Sequence, residues 1–445
     1  MKVLKFGGTS VGSPEMIDRT LDIAESMLDE APILVASAMA KTTDQLVRIT
    51  KVASTGDEAG AVEILRNVEE SHRATASALL EGDVLEQTER VLADYFSGIA
   101  SLIKGLSLLR ECTPRSADAI LSFGELLSTT IIAARAHQRG ISCELLDSRD
   151  FMRTDDSFTA ASPLLNEINS LARDRVRPSP GRLLIVQGFI ARTMNGVTST
   201  LGRGGSDYSA TLIGSALDAE EVQIWTDVNG IMTCDPRIVP EAKTITQISY
   251  SEAAELAYFG AKVVHPSTIQ PAVEKGIPVW VKNTHDPSGA GTMIVDKADG
   301  KGVRALAGKR DITLIHVSST RMLNAYGFLS RIFSIFEKHR TPVDLIATSE
   351  VSVSMSIDTI HSLDAIIREL DEIGRVGVES GLGIICLVGQ DLWKDSSFIA
   401  GVFVTLKDIP IRMISLGSSD INLSLVVPEK MLDTAIRELH REFFA

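Results

Sequence analysis

The chain has 445 residues, 44% of them hydrophobic and 23% charged, with a formal net charge of -14 at pH 7; the length predicts two or three domains, and the acidic balance argues against a nucleic-acid partner while leaving room for local basic clefts. Cys112, Cys143, Cys234 and Cys386 form no C-x-x-C pair, which argues against a zinc site or a disulfide framework and predicts free thiols in a reducing compartment. No run approaches the roughly 20 apolar residues of a membrane span, and the N-terminus turns glycine-rich before a signal-peptide core can form, so a cytoplasmic protein with no membrane partner is expected.

Lys2 to Phe6 alternates as a strand and runs into Gly7-Gly8-Thr9-Ser10. Ser13-Pro14 then supply an N-cap and a first helical residue, followed by Ile17, Leu21, Ala24 and Leu28 at helical spacing. Strand, glycine turn and helix in succession present backbone N–H groups to phosphate. The turn is not a Walker A loop, and it lacks the third glycine of a dinucleotide fingerprint. Lys5 is either a solvated strand-end lysine or one that faces phosphate, and the double glycine favours the second.

Ile33 to Ser37 reads as a buried strand, followed by a polar loop through Lys41, Thr42, Thr43 and Asp44. Gln45 to Leu109 is helical in pattern, with charged faces that carry no chemistry. Ser122-Phe123-Gly124-Glu125 opens another helix, where Glu125 has the ordinary alternative of a capping carboxylate. Strands follow at Ser142 to Asp147 and Leu183 to Gln187, the latter ending at Gly188-Phe189.

Leu201-Gly202-Arg203-Gly204-Gly205-Ser206-Asp207 is the most unusual stretch. Its glycines let main-chain N–H groups approach an anion, Arg203 adds a planar fork for carboxylate or phosphate, and Asp207 sets a carboxylate beside the cations. By itself it is equally a surface turn; the second glycine turn at the N-terminus favours function. Val222 to Thr226 is a strand ending in Thr226-Asp227-Val228-Asn229-Gly230, with Asp235-Pro236-Arg237 beyond it. Polar residues past a strand's C-terminal end are where open α/β sheets take ligands. A helix from Glu252 to Phe259 leads to Gly260-Ala261-Lys262, His265 before Pro266 caps a turn, and Pro278 to Val281 is a further strand. The alternation predicts an α/β domain with a mostly parallel sheet.

The pattern changes after a polar linker at Asp299 to Lys301. Strand (Ile312 to Val317), helix (Phe328 to His339), strand (Val343 to Thr348), strand (Val351 to Ile357) and helix (Leu363 to Ile373) make a ferredoxin-like unit. Thr341-Pro342-Val343-Asp344-Leu345-Ile346 resembles Ile409-Pro410-Ile411-Arg412-Met413-Ile414 at an offset of 68 residues, which predicts a second such unit closed by the helix Met431 to Phe444.

Two glycine turns with cations and strand-end polar residues suggest phosphoryl transfer, which asks mainly for positioning and charge neutralisation. Lys5, Lys262 and Arg237 are candidate neutralisers of phosphate. Arg203 and Glu125 are candidate holders of a carboxylate and an ammonium, a pairing that selects an amino acid. Asp207 positions the lysines or holds Mg²⁺ indirectly.

Five spaced motifs in order, Lys5 to Val11, Leu201 to Tyr208, Trp225 to Val228 with Gly230, Asp235 to Arg237 and Phe259 to Lys262, resemble aspartokinase, and the C-terminal repeat resembles that family's pair of ACT domains. The resemblance covers the whole chain. It implies an amino acid kinase fold, a mostly parallel central sheet flanked by helices, over residues 1–297, and two βαββαβ ACT units over 298–380 and 381–445 that are free to interleave. It implies the monofunctional enzyme, which phosphorylates the β-carboxylate of L-aspartate from ATP, with Mg²⁺ on the nucleotide, on the way to lysine, threonine and methionine. Lys5, Asp207 and Lys262 would be catalytic. Thr43, Glu125, Phe189, Arg203, Ser206 and Asp207 would surround aspartate. Lys5, Gly7, Gly8, Thr226, Asp227, Met232, Arg237 and Lys262 would hold ATP, although relatives often carry Tyr at the position of Met232.

The regulatory half resembles the lysine-inhibited class, with an effector site at Met322, Ala325, Gly327, Phe328, Leu329, Val343, Asp344, Thr348, Ser349 and Glu350. A homodimer through the ACT units is expected, or a tetramer when inhibited. The rival readings are another kinase of the superfamily, acting on a glutamate or acetylglutamate type of acceptor, and an inactive amino-acid sensor.

Overall fold

The computed structural model describes residues 1–260, 263–322, 326–417 and 419–444. The chain divides into two compact units, Met1–Ile231 with Val263–Lys297, and Met232–Lys262 with Ala298–Ala445.

The first unit is built on parallel strands in the order Cys143–Leu146, Leu183–Gln187, Ile33–Ala36, Lys2–Phe6, Glu221–Thr226, Val279–Asn283, with Thr292–Val295 antiparallel to the last. Ile33–Ala36 and Leu183–Gln187 are buried at every residue, as expected of strands covered on both faces by helices. Lys2–Phe6 lies centrally, and the strand that follows it in sequence pairs on one side while Glu221–Thr226 pairs on the other. Such a switch in order opens a crevice beyond the strands' C-terminal ends. The loops that follow Phe6, Ala36, Gln187 and Thr226 therefore converge there.

The helical stretch resolves into Thr42–Ser54, Glu58–Leu79 and Gly82–Leu109. Thr42, Thr43 and Asp44, expected in a loop, form the first turn of a helix because Lys41 turns the chain with a φ of 65°. The stretches Gly82–Leu109 and Pro114–Gln138 are long and apolar enough by length and composition to cross a bilayer, contrary to the expectation from sequence. Here both are packed: Leu92, Phe96, Ile99 and Ile103 of the first and Leu127, Ile131 and Ile132 of the second enter the same core. All four cysteines are free, and burial pushes Cys143 up to about 11 and Cys234 and Cys386 up to about 12, so they stay thiols.

The second unit carries an antiparallel sheet in the order Ile346–Thr348, Ser352–Ile357, Gly302–Ser318, Arg375–Gln390, Asn422–Pro428, Met413–Leu416. The strand expected to begin at Ile312 begins at Gly302. Lys309-Arg310-Asp311 interrupts its apolar pattern, and the register shifts there, with Asp311 at a φ of 58°. That bulge divides the strand between two βαββαβ units. Its second half joins helices Phe328–Lys338 and Leu363–Asp371 around a core of Ile315, Val353, Phe328 and Ile366. Its first half pairs with residues 384–390 and completes the unit of helices Ser396–Thr405 and Leu432–Phe444, whose core includes Ile385, Leu425, Val402 and Ile436.

Candidate active site and effector region

The end of strand Lys2–Phe6 is pinned by the Gly7 N–H, which donates to Trp225 O at 3.1 Å, and by the Ser10 N–H, which donates to Gly7 O at 2.9 Å. A Cβ on Gly8 would stand 2.9 Å from Ala38 O, so only glycine lets the turn lie against the neighbouring strand end. Opposite it, Gly204 takes a φ of 72° as the N-cap of helix Gly205–Ala216. A Cβ on Gly205 would meet the Phe189 ring at 2.7 Å. Gly8 and Gly205 are thus required by close approach, and Gly204 by its backbone conformation.

Between the two turns lies a cavity of about 580 Å³. Lys5, Thr43, Glu125, Phe189, Arg203, Ser206 and Asp207 all line it, as does Gly8. Lys5 Nζ is 2.6 Å from Asp207 Oδ1, and their side chains are 11% and 13% exposed. The lysine therefore sits in a fixed place rather than trailing in solvent. Arg203 and Lys41 are exposed on the same cavity, with no ion-pair partner among the described residues.

Glu125 is no surface cap. It is 2% exposed, its Oε1 accepts the Ala38 N–H at 3.1 Å, and its Oε2 has no partner among the described residues. Burial pushes its carboxyl up to about 8, against the opposing pull of that N–H. Lys41, Thr159 and Phe189 carry left-handed backbones without being glycine, at φ of 65°, 73° and 65°, and all three line the cavity. Phe189 is held so by its N–H, which donates to Ser209 Oγ at 2.9 Å. Such strain persists where the surroundings over-determine it.

Asp118 escaped the sequence reading. It is fully buried, and its carboxylate accepts the Thr159 N–H at 3.0 Å, the Thr200 N–H at 3.0 Å and the Thr200 hydroxyl at 2.7 Å. Burial pushes its carboxyl up, and those donors partly offset the rise. It ties the loop of Thr159 to the strand end that leads into Arg203. One aspartate in an amphipathic helix carries no pattern that could announce this.

The nucleotide candidates are more dispersed. Gly7 joins Lys5 and Gly8 at the glycine turn. Thr226 and Asp227 end the adjacent strand, with the Thr226 hydroxyl 3.2 Å from Asp227 Oδ1. Met232 and Arg237 belong to the second unit. There Arg237 pairs with Asp235 at 2.6 Å and stays 87% exposed. Lys262 lies outside the described residues. His265 is the N-cap residue of helix Pro266–Glu274, with its ring bonded to the Ser267 hydroxyl. No group of three or more His, Cys, Asp and Glu suited to a metal ion occurs among the described residues.

In the effector region, Gly327 at a φ of 76° starts helix Phe328–Lys338. Phe328 is 3% exposed in the core, Met322 packs on that core, and Leu329 is 40% exposed. Thr348 ends its strand opposite Val353, and the Ser349 and Ser352 hydroxyls bond at 2.7 Å across the turn that holds Glu350. The Ser319 N–H donates to Val351 O at 2.9 Å, which brings the Thr320–Met322 turn beside it. Val343 packs on the core, and the Asp344 N–H donates to Ser356 O at 2.8 Å. Ala325 lies outside the described residues.

Residues 1–283 match the amino acid kinase family, and residues 385–443 match the ACT domain. Lysine-sensitive aspartokinase 3 of Escherichia coli is 39% identical over 99% of each chain. Chloroplastic aspartokinase 2 of Arabidopsis thaliana is 37% identical over 99% of this chain and 84% of its own. Solved structures of Escherichia coli aspartokinase III, one with lysine and aspartate in the T-state and one with aspartate and ADP in the R-state, each align over all of both chains. Both have a TM-score of 0.83, with identities of 37% and 38%.

Proposed function

Since the chain belongs to the amino acid kinase family and, within it, to the aspartokinases, we propose that its cavity transfers the γ-phosphoryl group of ATP to the β-carboxylate of L-aspartate. The product is 4-phospho-L-aspartate, at the entry to lysine, threonine and methionine synthesis. The observation that carries this reading is that a buried Glu125 and an Arg203 with no ion-pair partner among the described residues line the same cavity as the Lys5–Asp207 ion pair. A carboxyl for an ammonium and a fork for a carboxylate describe an amino acid, and the adjoining lysine and glycine turn suit a phosphoryl group.

Arg203 holds the substrate's α-carboxylate and Glu125 its ammonium, while Thr43, Phe189 and Ser206 complete the walls. The β-carboxylate of aspartate is already ionised at neutral pH, so it attacks the γ-phosphorus without a general base or a protein nucleophile. A bond from carboxylate oxygen to phosphorus forms as the bond to the ADP oxygen breaks. Lys5, oriented by Asp207, and the N–H of Gly8 neutralise the equatorial oxygens as charge spreads over them, while Gly7, whose own N–H is taken by Trp225 O, shapes the turn that faces the phosphates. Thr226, Asp227, Met232, Arg237 and Lys262 hold the rest of the nucleotide. Mg²⁺ bound with ATP would supply further charge neutralisation on the phosphates, and the hard carboxylate oxygens of Asp207 would suit a contact with its shell.

Regulation follows the lysine-sensitive relatives. L-Lysine binds through Met322, Ala325, Gly327, Phe328, Leu329, Val343, Asp344, Thr348, Ser349 and Glu350. Catalysis belongs to residues 1–297, and the regulatory units 298–380 and 381–445 share their two long strands. The working form is a homodimer through these units, or a tetramer when inhibited, and the compartment is the cytoplasm, where four free thiols remain reduced.

An assay with ATP, Mg²⁺ and a panel of carboxylate acceptors tests the reading. Arg203→Ala should raise the KM for aspartate about 100-fold, the worth of a charged fork of roughly 3 kcal/mol, and leave the KM for ATP nearly unchanged. Asp118→Asn should move the same KM the same way by about tenfold, through the strand end it holds. Equal effects on both substrates would take Arg203 out of the aspartate site.

A further inference from the structure

The carboxylate of Asp344 already has an ammonium partner within its own chain. Lys309 Nζ lies 2.8 Å from Asp344 Oδ1 and 2.9 Å from Asp358 Oδ2. It also stands 4.6 Å from the centre of the Tyr258 ring, and the Tyr258 hydroxyl donates to the same Asp344 oxygen. The Asp344 side chain is 1% exposed, and its Oδ2 is buried with no partner among the described residues. Two carboxylates and an aromatic face around one primary ammonium are the chemistry that would recognise a free amine.

Tyr258 also belongs to an element with a second attachment to regulation. On helix Tyr250–Tyr258 the residues Glu252, Glu255 and Tyr258 recur every third position and share a face. Each meets the antiparallel sheet or its loops. Glu252 Oε1 faces Arg304 Nε at 3.6 Å, Glu255 Oε2 accepts from Asn422 Nδ2 at 2.7 Å, and Tyr258 reaches Asp344. Gly260 follows at a φ of 127°, where a Cβ would stand 2.9 Å from Gly308 O. The helix is therefore fastened to both regulatory units, and the chain runs from it directly into Lys262.

We propose that Lys309 is an internal stand-in for the effector's ammonium, so that a free primary ammonium arriving at Asp344 displaces Lys309, releases Tyr258, and is thereby read by helix Tyr250–Tyr258. The inference rests on the reading that Asp344 belongs to the effector site. Asp344 is almost wholly covered and its Oδ1 already accepts from both Lys309 and Tyr258, so a free ammonium reaches this carboxylate only as Lys309 gives way, and the tethered Lys309 lowers the apparent affinity for the free amine. The same competition gives the effector a differential hold on two conformations, without which it could shift nothing.

The test measures L-lysine binding by calorimetry and inhibition of the kinase in parallel, on the full chain. Lys309→Met keeps the stem and removes the competitor, and should bind L-lysine roughly five- to tenfold more tightly than the natural protein. Unchanged or weaker binding overturns the proposal. Should the unpaired Asp344 prevent Lys309→Met from folding, Tyr258→Phe provides the second reading. It keeps the ion pair and removes only the hydroxyl, so L-lysine should still bind while the fraction of activity surviving at saturation rises at least threefold. Inhibition as complete as in the natural protein overturns the coupling. Absence of L-lysine binding to the natural protein would instead remove the effector reading itself, and the proposal with it.

Discussion

Lys5→Met should lower kcat by about 10²–10³-fold while the KM for aspartate changes by less than about threefold. The reason is the position of the ammonium. It is nearly buried, tied to Asp207 at 2.6 Å, and follows from a central strand whose partners on both sides are in register. A preorganised cation of this kind meets charge that develops only as the phosphoryl group moves, and removing one such donor costs roughly 3–4 kcal/mol of transition-state stabilisation. Part of the loss could arise from Asp207 left without its cation, so thermal stability must be followed alongside. Asp207→Asn with Lys5 intact separates the two, because it loosens the lysine without abolishing its charge and should cost less in kcat. A rise in KM for aspartate with kcat unchanged would place Lys5 in substrate binding and out of the chemistry.

The second large effect concerns protons. Burial pushes Glu125 up to about 8, so near pH 7 it is mostly neutral before substrate arrives. The ammonium of aspartate favours the charged form, so binding should release close to one proton per site at pH 7. The heat of binding should then depend on the ionisation enthalpy of the buffer. Glu125→Gln should lose that dependence and bind aspartate about 100-fold more weakly.

Stability moves in the opposite sense. A carboxyl whose pKa is raised in the folded state contributes stability that is full below its unfolded value, near 4.5, and is lost as pH rises through about 8. Glu125→Gln is free of that loss, so its melting temperature should gain on the natural protein between pH 5 and 8. The gap grows by at most about 1.4 kcal/mol per pH unit. A constant gap across that window would mean that Glu125 titrates normally.

Much of this was legible from residue order. The apolar runs Ile33–Ala36 and Leu183–Gln187, the double glycine after Phe6 and the repeat of Pro342 at Pro410 each depend on local spacing, and each led to the right element. The start of the strand at Gly302 is hidden in the sequence because Lys309-Arg310-Asp311 breaks its alternation. Those charges are tolerated at a bulge, where the strand passes from one regulatory unit to the other. The helical turn at Thr42 is disguised in the sequence because the polar residues around a left-handed Lys41 have the composition of a loop.

Local chemistry, then, was enough to single out Lys5, Gly8, Glu125 and Arg203, which the structure brings around one cavity, since spacing and residue type are carried along the chain. Partnership across the fold was not available to it. That Glu125 is buried with only one oxygen bonded among the described residues, that Asp118 braces the approach to Arg203, and that Asp344 is claimed by Lys309 and Tyr258 all depend on residues distant in sequence coming together. Desolvation and pairing are properties of surroundings, and the surroundings exist only once the chain has packed.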